Sequence, residues 1–300
     1  MSKETKIGGF TWIHFQNPKE EEVRGVLGTM KIHHLILEEL FSPSDRSKVE
    51  NLGNYLFMVY HLPIYNAEER TSRRAEIDLI VTKKLIITVA YERVEPLAQF
   101  ERDLEKKYKH KIENTAQFIY YLFGEVNEFS LRQLRHIEEK VGTVGKELFN
   151  HPDRELLEEI SHINRDILDF GIISAAQRTT LESLIPTAAE FWGDDIKIYF
   201  TDLLGGLLKS HYLLESLRAA IVSYSNTVSQ IFQFRTSDIV RRFSVLGFLT
   251  FPLLLYTTIA LQPTVEPTLF SDPSGFWILF GAILIIVIGL AAIFRKKGWF

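Results

Sequence analysis

Nine histidines, thirty-eight Asp and Glu residues and no cysteine set the chemistry open to this 300-residue chain. The absence of cysteine removes disulfides, thiolate metal ligands and cysteine nucleophiles, and fits a reducing compartment. His33 and His34 are adjacent, but no H-E-x-x-H or similar ligand spacing contains them, so a core or surface role outweighs a zinc ligand. Gly8-Gly9 and Gly205-Gly206 are not followed by Lys-Ser/Thr, so neither forms a phosphate loop. The acid pairs along residues 125–185 have Lys and Arg nearby and read as solvated helix faces. No nucleophile–base–acid set can be assembled. The reading is that the chain is not an enzyme and has no organic cofactor or small organic substrate. A net charge of −4 carries no nucleic-acid footprint.

The strongest signal is instead a segregation of charge. The first 242 residues are rich in Glu, Lys and Arg, and the last 58 are nearly all apolar. A single stretch, residues 195–261, joins the two regimes with no helix-breaking signal at the join. In its first part Leu203, Leu207, Leu214, Leu217, Ile221, Tyr224, Val228 and Ile231 recur at spacings of three, four or seven. That is a coiled-coil-like seam. Its last part, residues 243–261, has no charge. At ~1.5 Å per residue such a helix is ~100 Å long, too long for a soluble domain and suited to a stalk entering a membrane.

Residues 1–95 read as a mixed α/β domain. Residues 7–15 are a short strand candidate. Asn17 is placed to cap a helix with Pro18 at its first position and glutamates in its first turn. The run HHLILEELF is a second short helix, ended by Ser42-Pro43-Ser44-Asp45. Strand-like runs follow at 55–62, 76–81 and 84–90. Residues 96–185 are predicted helical, with helices at 97–108, at 116–149 and from Asp153 to about Leu184. The last two form an antiparallel hairpin that stops at Pro186. Strands alternating with short helices suggest a sheet covered by helices, an α+β class.

Two apolar runs, 243–261 and 275–294, are each long enough to span a hydrocarbon core of ~30 Å. The loop at 262–274 has no Lys or Arg, whereas Arg235, Arg241 and Arg242 precede the pair and Arg295, Lys296 and Lys297 follow it in the tail at 295–300. The positive-inside rule then places both termini in the cytoplasm of a cell (inner or plasma) membrane, with lipid as one partner. The N-terminus has no apolar core of signal-peptide length.

In that order the pieces resemble the CorA family of divalent-cation channels. TWIHFQNPKEEE, HHLILEELFSPSDRSKVE, NYLFMVYHLPIY and EIDLIVTKKLIITV resemble the strands and helices of its cytoplasmic domain. IYFTDLLGGLLK resembles its Y-x-x-D region. FRTSDIVRRFSVLGFLTFPLLL resembles its run into the membrane, and FRKKGWF its basic tail. The resemblance implies a homopentameric funnel whose long helix lines a central pore, with the second membrane helix packed outside it. It also implies a divalent cation, magnesium first, as permeant and regulatory ion.

The family's Gly-Met-Asn signature is absent. Aligning Pro252 with the family's membrane proline puts Leu261, Gln262 and Pro263 at its position. Oxygen ligands suit magnesium, and here Gln262, Thr257, Thr258, Thr264 and Glu266 are the residues that offer them. The same alignment places Ser237, Val240, Phe243 or Ser244, Gly247, Phe251, Leu254 and Thr258 on the pore axis, where phenylalanine rings would form a constriction able to gate by dewetting. The alternative is that these residues only pack the helices together. Glu39, with Glu38 beside it, matches one of the family's regulatory acids and Asp202 the other. Carboxylates sharing a site repel unless a divalent ion bridges them. Read without the resemblance they are solvated surface acids. The expectation is a passive divalent-cation channel of altered selectivity, gated by cation binding; the alternative is a non-conducting cation sensor or scaffold of the same fold.

Overall fold

The computed structural model describes residues 2–28, 30–150, 152–260 and 273–299. They form two compact units, Met1–Ser225 and Asn226–Phe300. The first unit is built on a six-stranded sheet of order β1-β2-β6-β5-β4-β3. Its strands are β1 (Ser2–Ile7), β2 (Phe10–Gln16), β3 (Lys48–Asn51), β4 (Leu56–Asn66), β5 (Thr71–Val81) and β6 (Leu85–Ala90). The β2–β6 pair is parallel and the other pairs are antiparallel. Where the sequence suggested one strand at 7–15 there is a hairpin. Gly8 turns it at φ 53°, which a side chain at that position would resist.

Both faces of the sheet are covered, which explains why β4 reads as a continuous apolar run rather than an alternation. Met58, Tyr60, Ile77, Leu79 and Ile86 point into one core, with helices α3 (Glu95–Asp103), α4 (Thr115–Glu147), the end of α5 (Arg154–Trp192) and the start of α6 (Lys197–Ala260). Phe57, Val59, Ile80, Ile87 and Val89 point the other way, against α1 (Glu20–Leu27) and α2 (His34–Glu39).

Several helix boundaries differ from the sequence expectation. Asn17 does not cap α1: it sits in the left-handed region at φ 45°, and the helix starts at Glu20 with the Glu22 carboxylate accepting from the Lys19 N–H at 3.2 Å. The short helix placed at 97–108 is α3 followed by a wide π-turn, Leu104–Tyr108. The hairpin's second helix passes through Pro186 and ends at Trp192. An interior proline costs a helix ~3 kcal/mol. Leu184, Ala188 and Phe191 are buried in the core on either side of it, and that packing outweighs the lost bond. Asp153 caps this helix as expected, accepting from the Leu156 N–H at 2.9 Å.

In the second unit the last part of α6 packs on α7 (Pro273–Lys296) through ring contacts. Both helices are long and apolar enough to cross a membrane.

Candidate functional site

The membrane-length part of α6 has two dissimilar faces. Val245 and Tyr256 are buried, with Leu249 and Pro252 half-buried between them. The Tyr256 ring lies 5.8 Å from that of Phe280 on α7, and Phe248 lies 6.1 Å from Phe294. At 100° per residue the face carrying 245, 249, 252 and 256 is opposite the one carrying 240, 243, 247, 251, 254 and 258. On that second face Val240, Phe243, Phe251 and Leu254 are each more than half exposed and Gly247 and Thr258 are exposed as well; Ser237 and Ser244, also exposed, lie at its flank. Most of the residues expected on the pore axis therefore share one side of α6, with Ser237 and Ser244 at its flank, and it is the side α7 leaves uncovered.

Near the end of this helix the Thr257 and Thr258 hydroxyls both donate to the Leu254 carbonyl, at 2.8 and 2.9 Å. With their hydrogens turned to the backbone, the hydroxyl oxygens keep lone pairs to offer a cation. At the other end Asp238 is tied to Arg242 at 2.8 Å. Leu261, Gln262 and Pro263, with Thr264 and Glu266, lie outside the described residues.

In the first unit the acids expected to be regulatory, Glu39 and Asp202, sit on opposite sides of the sheet. Glu39 ends α2, on the α1–α2 face. Its carboxylate is held by Lys48 at 2.8 Å, and the same ammonium reaches Glu50 at 3.0 Å. Glu38 is exposed. Asp202 is exposed on α6, whose neighbouring Leu203 and Leu207 enter the core on the far face. The Tyr120 hydroxyl donates to Asp202 Oδ2 at 2.9 Å. Burial first, and then the Asp202 carboxylate, push that phenol up to about 12, so it remains a donor at neutral pH. The Asn127 amide donates to the Leu203 carbonyl at 3.1 Å, a second grip of α4 on the same turn of α6. One chain does not bring Glu39 and Asp202 together, and among the described residues no group of three or more His, Asp or Glu side chains converges as a metal site. A cation held by both acids requires two copies of the chain.

Beneath Glu39 lies a buried polar cluster on β4, β5 and the residue after β6 that the sequence did not single out. Glu76 accepts from the Ser44 N–H at 2.8 Å and from His61 Nε2 at 2.9 Å. His61 Nε2 also faces the Ser44 carbonyl at 3.0 Å, so that nitrogen carries a hydrogen, and Nδ1 pairs with the Ser47 hydroxyl at 2.7 Å. Tyr91 shares its hydroxyl hydrogen between Asp78 Oδ2, at 2.6 Å, and the Glu39 carbonyl, at 3.2 Å. Burial, and then the neighbouring Glu76 charge, hold the Asp78 carboxyl well above the usual carboxylate range. The loop after α2 and the last residue of α2 are thus anchored to carboxyl groups inside the protein. Alternation along β5 (Glu76, Asp78, Ile80) was the available signal, masked because both faces of that strand are covered.

Residues 8–296 match a family model described as CorA-like Mg2+ transporter protein. The chain belongs to this CorA family. The cobalt/magnesium transport protein CorA of Methanocaldococcus jannaschii is 19% identical over 291 residues, covering 96% of this chain and 90% of the relative. The protein of the same name from Thermotoga maritima is 18% identical over 297 residues, covering 96% and 83%. The solved structure titled as the complete CorA magnesium transporter of M. jannaschii superposes with a TM-score of 0.83 at 18% identity, covering 97% of this chain and 92% of that one. At that identity the likeness shows a shared fold: a CorA-type α/β unit, a long helix and an apolar C-terminal helix.

Proposed function

We propose that this CorA-family chain forms a homopentameric membrane channel that passes divalent cations, magnesium or a related ion, passively down their gradient. Ser237, Val240, Phe243 or Ser244, Gly247, Phe251, Leu254 and Thr258 line its pore. The observation that carries this reading is the uncovered face of α6: an apolar helix packed on its partner by one side only leaves the other for copies of itself. The basic residues outside the two apolar helices support cytoplasmic termini. Glu39 of one subunit and Asp202 of the next share a cation that holds the closed state, and its loss leaves two carboxylates in repulsion. Selectivity differs from that of members bearing Gly-Met-Asn, because Leu-Gln-Pro stands in that place.

A second reading, a non-conducting cation sensor or scaffold, draws on the exposed phenylalanines of the same face. Five Phe251 rings and five Phe243 rings around an axis would make a dry barrier. Ion flux into liposomes separates the two. Uptake of magnesium, cobalt, nickel or zinc by correctly inserted protein is expected. Silence for all of these and for sodium would leave only the sensor.

A further inference from the structure

A cavity of about 660 Å³ opens in the first unit between the ends of β4 and β5 and the α4–α5 hairpin. That is within the ~300–1,000 Å³ of sites that hold small molecules. Tyr65, Ile137 and Val144 give it an apolar wall, and Glu139, Glu147, Glu159 and Asp166 give it an acidic one.

Asp166 is the informative residue. It is 1% exposed, its Oδ1 accepts from the Ser72 hydroxyl at 2.7 Å, and its Oδ2 has no hydrogen-bond partner. The nearest cation, Lys140 Nζ, stands 3.8 Å from that oxygen, beyond hydrogen-bond reach. The lysine is held instead by Tyr65, 4.2 Å over its ring and 3.1 Å from its hydroxyl. An aromatic face beside a carboxylate is what recognises an ammonium ion, and here a side chain of the protein occupies the place without completing the contact to Asp166.

Charge says what else fits. The four carboxylates are offset by Lys140 and by Arg70, which pairs with Glu159. With His136 also on the wall, 3.6 Å from Glu139, and burial raising the Asp166 carboxyl, acidic groups still outnumber the Lys140 and Arg70 cations two to one. A bare metal is a poor match, because no three His, Asp or Glu side chains converge among the described residues and one wall is apolar. We propose that the cavity binds an aliphatic polyamine. One ammonium replaces that of Lys140 between Tyr65 and Asp166, the carbon chain lies along Ile137 and Val144, and a second ammonium meets Glu147. Lys140 is about one-third exposed on a flexible stem and swings out to water.

The test is calorimetric titration of the full-length protein in detergent with spermidine and with 1,4-diaminobutane, in magnesium-free buffer. Saturable binding is expected, weakened about tenfold or more by Asp166→Asn and about threefold by Glu147→Gln. Lys140→Ala, which removes the internal competitor, should tighten it about threefold or more. Glu147 is exposed, so its variant keeps the fold if Asp166→Asn does not. No saturable binding to the wild type and Lys140→Ala would overturn the proposal. So would affinity indifferent to Glu147→Gln and Lys140→Ala. Displacement of spermidine by magnesium at equal or lower concentration would mark a hydrated-metal site instead.

Discussion

Tyr120 on α4 donates its hydroxyl hydrogen to Asp202 on α6 across 82 residues of chain. The bond occupies one carboxylate oxygen and orients the other. It makes the exposed acid of the long helix answerable to the helix packed beside it. Tyr120→Phe removes that orientation without removing the charge. The magnesium concentration that half-protects the first unit from protease should rise about three- to tenfold, as befits one lost charge-assisted hydrogen bond. Asp202→Ala should abolish the protection. Equal protection in all three proteins would remove Asp202 from the regulatory site.

Gly205 lies one turn beyond Asp202, and a Cβ there meets nothing within 4 Å. Gly205→Asp therefore adds a second carboxylate to the same face at no steric cost, and replaces a weak helix former. Half-protection by magnesium should move to a lower concentration, by about threefold or more, as expected for an added oxygen ligand. A shift to higher concentration would show that no cation is held on this face.

The buried Asp78 predicts a pH dependence of stability. Its carboxyl is held well above the usual range, chiefly by burial and then by Glu76. Between the usual carboxylate range and that raised value the folded protein binds more protons than the unfolded chain. Stability must then fall as pH rises through this window. Asp78→Asn keeps an acceptor for Tyr91 and removes the titration. Its Tm should therefore decline less than that of the wild type as pH is raised above the usual carboxylate range. Parallel curves for the two proteins would mean that Asp78 does not titrate there.

Phe251 is 63% exposed on the face of α6 opposite α7. If that face lines the pore, Phe251→Ala widens and wets the constriction, and cation flux into liposomes should increase about threefold or more. Unchanged flux, with wild-type levels of insertion, would place Phe251 against lipid or a neighbouring helix instead of the axis.

How much of this was legible beforehand follows from the range of the interactions involved. The two apolar helices, the seam from Leu203 to Ile231, buried at all but Tyr224 and Ile231, and the Asp153 cap all depend on residues a few positions away, so spacing alone reveals them. Asn17 and Pro186 misled because each is a good local signal overruled by distant packing: the core around Leu184, Ala188 and Phe191 carries α5 past its proline. Nothing local marks β2 as the parallel neighbour of β6, or Glu76 and Asp78 as buried beneath Glu39. Nor does composition place Tyr120 on Asp202, or leave Asp166 with an unbonded oxygen beside Lys140. The sequence by itself determined the long helices, the membrane-length runs and the central strands, though not every boundary, because backbone propensity and hydrophobic period are short-range. Only the tertiary structure decided which acids are solvated, paired or buried, because desolvation and hydrogen bonding depend on groups brought together across the sheet and between helices.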